Sequence, residues 1–281
     1  MLAALVLAPT LTCAWRKPSN QRDWAVDQSV LPRVDIRGEL ATIRNVRDFR
    51  YQSVDRYSPS WYDATYDLDK LESVWFLVEP FDGWGGTAAH TFVSFGFADG
   101  RFVSISVEIR KEKGEAFSAL RGLLDEYELM YVIGDERDLL VLRTNFRRDD
   151  VYLYPMRASR AQMQQMFREM AARAEGLARR PEFYNTLTNT CTTNLVRHVN
   201  AIAPGRIPLR PGVLLPGYSD RLAWELGLID TPLSFEEARR RFRVNERARR
   251  HAVDPAFSQR IRDRSAAPPA QPSTGGNSAP P

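Results

Sequence analysis

The sequence predicts an α+β protein in which helices pack on a central antiparallel sheet. The middle of the chain holds several short runs of β-branched and aromatic residues, many of them alternating with polar residues, as strands do. The later part instead shows helical spacing behind capping sequences. With 43% hydrophobic residues in 281, the chain can bury a large core, and we expect one domain over residues 16–264.

The first predicted strands form a hairpin around Gly38, because apolar and polar residues alternate from Asp35 to Arg44. Further strands are expected at residues 73–78, 90–97, 101–110, 139–144 and 151–154. Together these segments make the middle of the chain rich in β-structure.

Helices are expected where capping boxes precede apolar spacing. The first box, Ser159 to Gln162, opens a helix that places Met163 and Phe167 in the core and ends near Arg179. A second helix is expected over residues 194–202. The proline- and glycine-rich stretch 203–217 that follows is predicted to be an extended loop that covers a site.

The two ends of the chain have unusual compositions. Residues 1–15 are apolar but shorter than the roughly 20 residues that a membrane-spanning helix needs, so we interpret them as the remnant of a span. Residues 265–281 are rich in proline, alanine and glycine, which is typical of a disordered tail. The apolar start of the chain therefore predicts an association with a membrane.

The net charge of +4 comes from 39 basic residues, of which only four are lysines. The densest basic stretch, residues 239–250, follows the capping box at Ser234 and is interpreted as a solvated helix face. Anionic lipid head groups and nucleic acid are the alternatives. Because no zinc-finger spacing, phosphate loop or RNA-binding motif accompanies this stretch, we expect no nucleic-acid partner, no metal and no cofactor.

The main functional candidate is Cys191, which lies among asparagines and threonines just before a predicted helix. A helix N-terminus favours the thiolate form of cysteine. His90, on a predicted strand, is the candidate base, so a Cys/His pair would be assembled by the fold. The alternative is that Cys191 is a small buried hydrophobe.

The other two histidines are weaker candidates. His198 lies on the same predicted helix as Cys191 but about 10 Å along it, beyond hydrogen-bond reach, and is interpreted as structural. His251 lies among arginines and is interpreted as solvated.

Glu108 is the candidate third residue, and its role depends on the register of the hairpin that follows His90. A three-residue loop at residues 98–100 pairs Phe97 with Arg101 and so places Glu108 beside His90. A two-residue Asp-Gly turn would put Glu108 on the other side. An exposed strand carboxylate is the alternative interpretation.

The sequence resembles the Lnb N-terminal periplasmic domain family over about residues 22–262. The most specific stretches of this resemblance are residues 89–97, 106–115, 135–144 and 183–194. The resemblance implies a circularly permuted papain-like fold of the NlpC type, in which histidine precedes cysteine, as in lecithin:retinol acyltransferase. The chain has Thr190 where the family pattern has a second asparagine. Tyr184, Asn189 and Asn194 are the candidates for oxyanion-binding or site-shaping roles.

The family resemblance implies N-acylation of bacterial lipoproteins with a phospholipid as acyl donor, at the periplasmic side of a membrane surface. The alternatives are a papain-like amidase or peptidase acting on peptide or cell-wall material, and a non-catalytic envelope binding module. For an acyltransferase we expect an apolar groove beside Cys191, with walls formed by Leu209, Val213, Leu214 and Leu215. The oligomeric state is left open.

Overall fold

A computed structural model describes residues 16–81 and 86–263 of the chain, so the apolar segment 1–15 and the tail 265–281 named above lie outside the described residues. The strands are β1 Arg33–Arg37, β2 Leu40–Arg47, β3 Arg50–Tyr51, β4 Tyr57–Ser58, β5 Trp61–Asp67, β6 Leu71–Pro80, β7 Ala89–Phe97, β8 Phe102–Arg110, β9 Glu128–Gly134 and β10 Tyr152–Pro155. The α-helices are α1 Ala119–Leu123, α2 Glu136–Val141, α3 Arg160–Arg179, α4 Cys191–Ile202, α5 Pro211–Leu214, α6 Ser219–Glu225, α7 Phe235–Phe242, α8 Asn245–Arg250 and α9 Phe257–Arg260.

One large sheet organises the described residues. Its strand order is β1-β2-β9-β8-β7-β6-β10, with β5 paired to β2, while β3 and β4 form a small separate ribbon. The pairings are antiparallel except between β2 and β9, which run parallel where Arg47 faces Gly134. The sheet is therefore mixed but mainly antiparallel, and the α+β class expected from the sequence is confirmed.

Helices cover both faces of this sheet. On one face, Phe95 of β7 packs in a core that includes Phe167 of α3 and Leu195 of α4. On the other, Phe92 of β7 packs in a second core with Leu139 of α2. Every residue of β7 is buried, because both faces of this interior strand are covered.

The predicted strand over residues 139–144 is wrong. This stretch is helical, with α2 followed by a π-helical segment at Leu142–Arg147. The helix begins because the Asp135 side chain accepts a hydrogen bond of 2.9 Å from the amide of Arg137. A short continuous apolar run does not by itself distinguish a buried strand from a buried helix, and here the capping residue decides.

The expectation of an extended loop over residues 203–217 is only partly correct. Pro211 begins the short helix α5, as proline does at a first helical position, and a 3-10 turn follows at Pro216–Tyr218. The amide of Gly217 donates a 3.0 Å hydrogen bond to the carbonyl of Thr87. This bond holds the segment against the start of β7.

Candidate functional site

Cys191 occupies the first position of α4. The residue before it, Thr190, is the helix cap, with its hydroxyl accepting a 3.2 Å hydrogen bond from the amide of Thr193 in a complete capping box. The cysteine is 9% exposed and lies 3.8 Å from the hydroxyl of Thr192. The predicted placement of Cys191 at a loop-to-helix junction is confirmed, and the helix dipole favours its thiolate.

The fold brings His90 of β7 close to Cys191, near enough for the imidazole and the thiol to shift each other's pKa. The ring nitrogen Nε2 of His90 lies 2.7 Å from Oγ of Ser106 and 3.2 Å from Oε1 of Glu108. The Ser106 hydroxyl donates a 2.7 Å hydrogen bond to the same carboxylate. Ser106 and Glu108 therefore orient the ring of His90.

The register of the hairpin explains how Glu108 reaches His90. Phe92 pairs with Ser106, and the amide of Phe97 bonds the carbonyl of Arg101 at 3.0 Å, so the loop is the three-residue one. The alternative with a two-residue turn is wrong. Because side chains alternate along a strand, this register places Ser106 and Glu108 on the same face as His90.

The electrostatics of this cluster favour an ionised thiol. Burial raises the pKa of Cys191, but hydrogen bonds and the positive charge of His90 outweigh this effect and lower the pKa to about 7. Burial alone would lower the pKa of His90, whereas the Glu108 carboxylate and the thiol raise it to about 10. The Glu108 pKa is held well below its ordinary value because His90 and Arg143 outweigh the effect of burial. Between these two pH values, Cys191 is a thiolate and His90 an imidazolium.

Arg143, which our sequence analysis did not select, completes the cluster. Its guanidinium is 3% exposed and donates to Oε1 of Glu108 at 3.0 Å and to Oε2 of the fully buried Glu79 at 2.7 Å. It also lies 4.9 Å from the centre of the Phe92 ring. An arginine directly after the apolar run 139–142 was a signal that could have identified it, because arginine is rarely buried unless it is paired.

The remaining predicted site residues hold the loop in front of α4. The Asn194 side chain is fully buried and donates to the Thr190 carbonyl at 2.8 Å and to Oδ1 of Asn189 at 2.9 Å. Asn189 in turn donates to the carbonyl of Phe183 at 2.8 Å. Tyr184 is close enough to Cys191 for a thiolate to raise its pKa, although burial is the larger cause.

The other two histidines lie apart from these contacts. His198 is buried and its Nε2 lies 2.8 Å from the hydroxyl of Tyr131, in line with a structural role. His251 is partly exposed, and its Nδ1 lies 3.5 Å from the Asp254 carboxylate, so the ring contacts a carboxylate as well as solvent.

An apolar cavity of about 180 Å³ lies between α4, α3, α6 and strands β6 and β7. Val213 lines it, as expected for the groove beside Cys191. The other three expected wall residues do not: Leu209, Leu214 and Leu215 are 78%, 46% and 40% exposed. Leu214 turns outward because only one face of the helical turn α5 meets the cavity, whereas Leu209 precedes this turn and Leu215 follows it.

Over residues 16–81 and 86–263, no group of three or more His, Cys, Asp or Glu side chains has the arrangement to hold a metal ion. In the same part of the chain, no helix is both long and apolar enough to cross a membrane.

The fold and the site define an α+β protein in which a buried cysteine and a buried histidine lie in one polar cluster with a partly exposed glutamate. The chain belongs to the Lnb N-terminal periplasmic domain family, whose model matches residues 57–215, more than half of the chain. Membership indicates a periplasmic domain of the bacterial envelope. No curated protein and no solved structure matches the chain.

Proposed function

We propose that this protein is a thiol-dependent acyltransferase of the bacterial envelope that takes an acyl group from a phospholipid and passes it to an amine. The observation that carries the proposal is the contact of Cys191 with His90, which is itself bound to Glu108 at 3.2 Å. A thiolate at a helix start beside an imidazolium is the arrangement that nucleophilic thiol catalysis requires. The apolar cavity beside α4 supports a lipid substrate.

In the first half-reaction, the Cys191 thiolate attacks the ester carbonyl of the donor and forms a carbon–sulfur bond. The ester carbon–oxygen bond then breaks, and the lysolipid alkoxide leaves with the proton of the His90 imidazolium. In the second, a neutral amine attacks the thioester, loses a proton to His90 and releases the thiolate as the amide forms. Glu108 keeps the imidazole oriented through both steps.

The proposal also covers the acyl acceptor, the place of the reaction and the type of fold. We infer that the acceptor is the N-terminal amine of a lipoprotein, that the reaction takes place at the periplasmic surface of the inner membrane, and that the fold is a permuted papain-like one. The chain order, in which His90 precedes Cys191, supports the last of these inferences.

The test is to incubate the purified domain with phosphatidylethanolamine vesicles and to measure its intact mass. We expect one added acyl group on Cys191, removable by hydroxylamine, and no addition in Cys191→Ser or His90→Ala. His251→Ala is the matched control and should acylate like the wild type. If no phospholipid acylates the protein while a peptide or muropeptide is cleaved in a Cys191-dependent way, the protein is an amidase and the proposal is wrong.

A further inference from the structure

The apolar cavity follows the length of α4. One face of this helix and its C-cap contributes Thr192, Leu195, Val196, Val199, Ile202 and Ala203 to the wall. At a rise of roughly 1.5 Å per residue, the distance from Thr192 to Ala203 is about 16 Å. The cavity is therefore long in one direction, as a site for an unbranched chain must be.

The two ends of the cavity differ. At the inner end, the hydroxyl of Thr192 lies 3.1 Å from that of Thr91 and 3.8 Å from the Cys191 sulfur. Thr192 is buried, whereas Ala203 is partly exposed and the adjoining Arg206 is exposed at the other end. The inner end thus lies at Thr192, the residue next to Cys191, although Cys191 itself does not line the cavity, and the outer end reaches solvent.

The opposite wall is formed mainly by hydrocarbon and thioether groups. Val74 and Phe76 of β6, Val93 of β7 and Met163 and Met166 of α3 supply it. Such a lining favours an apolar ligand, and the flexible methionines can adapt to a chain.

One buried polar group of this lining has no partner. Ser219 is 5% exposed and lines the cavity, and its hydroxyl has no hydrogen-bond partner among the described residues. It lies two residues after Gly217, whose amide is bonded to Thr87 near the start of β7. A ligand oxygen within reach of Ser219 would satisfy the hydroxyl, whereas a plain alkane would not.

We propose that this cavity binds one unbranched fatty acyl chain lengthwise, with the carbonyl end beside Thr192 and the hydrocarbon directed toward Ala203. The inference rests on the proposed function and names the part of the donor that the protein recognises. Each methylene that leaves water for the cavity should strengthen binding about fourfold. The length of the cavity then sets an upper limit to this gain.

The experiment measures binding separately from chemistry, in a Cys191→Ser background that cannot form a thioester. The polyene fatty acid cis-parinaric acid serves as the fluorescent probe, and unbranched fatty acids from octanoate to hexadecanoate displace it. Ile202→Trp fills the outer part of the cavity, Leu195→Trp the inner part, and Val253→Trp, at a residue that is 89% exposed, is the matched control. The thermal melt of each variant shows that it is folded.

We expect Ile202→Trp to weaken binding of hexadecanoate at least tenfold and to leave binding of octanoate unchanged. Leu195→Trp should weaken binding of both fatty acids, and Val253→Trp should weaken binding of neither. Should Leu195→Trp fail to fold, Val199→Trp replaces it, since Val199 is partly exposed. This variant is expected to weaken binding of all but the shortest fatty acids. Equal losses for all chain lengths in Ile202→Trp, or displacement of the probe by a leucine-rich peptide but by no fatty acid, would overturn the inference. Chain-length-dependent binding without any thioester in the wild type would instead refute the proposed function alone.

Discussion

Removing the imidazole of His90 should strongly reduce the reactivity of Cys191 at neutral pH. The thiol has a pKa of about 7, against an ordinary value of 9.0, because His90 offsets the effect of burial. At pH 7 this difference means that about half of the thiol is ionised instead of roughly 1%, so alkylation of His90→Ala should be about 50-fold slower. Burial, which raises the pKa of the thiol, is then opposed mainly by hydrogen bonds with Thr91 and by the helix dipole, so the loss should be about this large.

The assay is the rate of carboxamidomethylation by iodoacetamide between pH 5 and pH 10, followed by intact mass. Wild-type protein should react with a midpoint near pH 7, because the folded pKa of the acidic thiol is lowered and the thiolate persists above it. The midpoint of His90→Ala should lie above pH 9, while the control His251→Ala should keep that of the wild type. A midpoint near 7 in His90→Ala, or labelling of the wild type only after denaturation, would refute the reasoning.

Three further predictions concern losses in the free energy of unfolding, measured by chemical denaturation. Arg143→Met should lose about 3–5 kcal/mol, because it leaves two carboxylates without their buried cation; a loss below 1 kcal/mol would contradict the pairing. Cys191→Ala should lose less than about 2 kcal/mol, since it opens only a small gap, and a loss above about 3 kcal/mol would indicate a core role. Gly217→Ala should lose about 1–3 kcal/mol because its Cβ would overlap the carbonyl oxygen of Gly86, whereas Gly176→Ala, with open space around it, should be stabilising.

The parts of the site that the sequence predicts are those governed by local rules. Alternation of apolar and polar residues on two adjoining strands, with a loop of defined length, determines which side chains share a face, and this was enough to place Glu108 beside His90. A capping box likewise located the start of α3, whereas α4 begins at Cys191, three residues before the predicted start. Such rules involve residues that are close in the chain.

The parts that could not be predicted depend on distant contacts. Strand β9 is a short, fully buried run whose helical and extended forms have the same pattern, and only its pairing with β8 determines its structure. Arg143 is remote in sequence from both Glu79 and Glu108, so no spacing rule connects them. The direction of the leucines around α5 depends on a helical turn too short to show periodicity.

The charges of the cluster explain how a thiolate can persist in a buried site. Starting from Cys191, negative and positive groups alternate through His90, Glu108, Arg143 and Glu79, and Glu79 also lies 3.8 Å from Arg147. Each buried charge therefore has an opposite neighbour, which is the condition for burying it without a large cost. In the proposed first half-reaction, acylation removes the negative charge of the thiolate. The leaving alkoxide takes a proton from the imidazolium, which removes the positive charge of His90. The sum of the charges is then unchanged, so the surrounding pairs need not rearrange as the thioester forms.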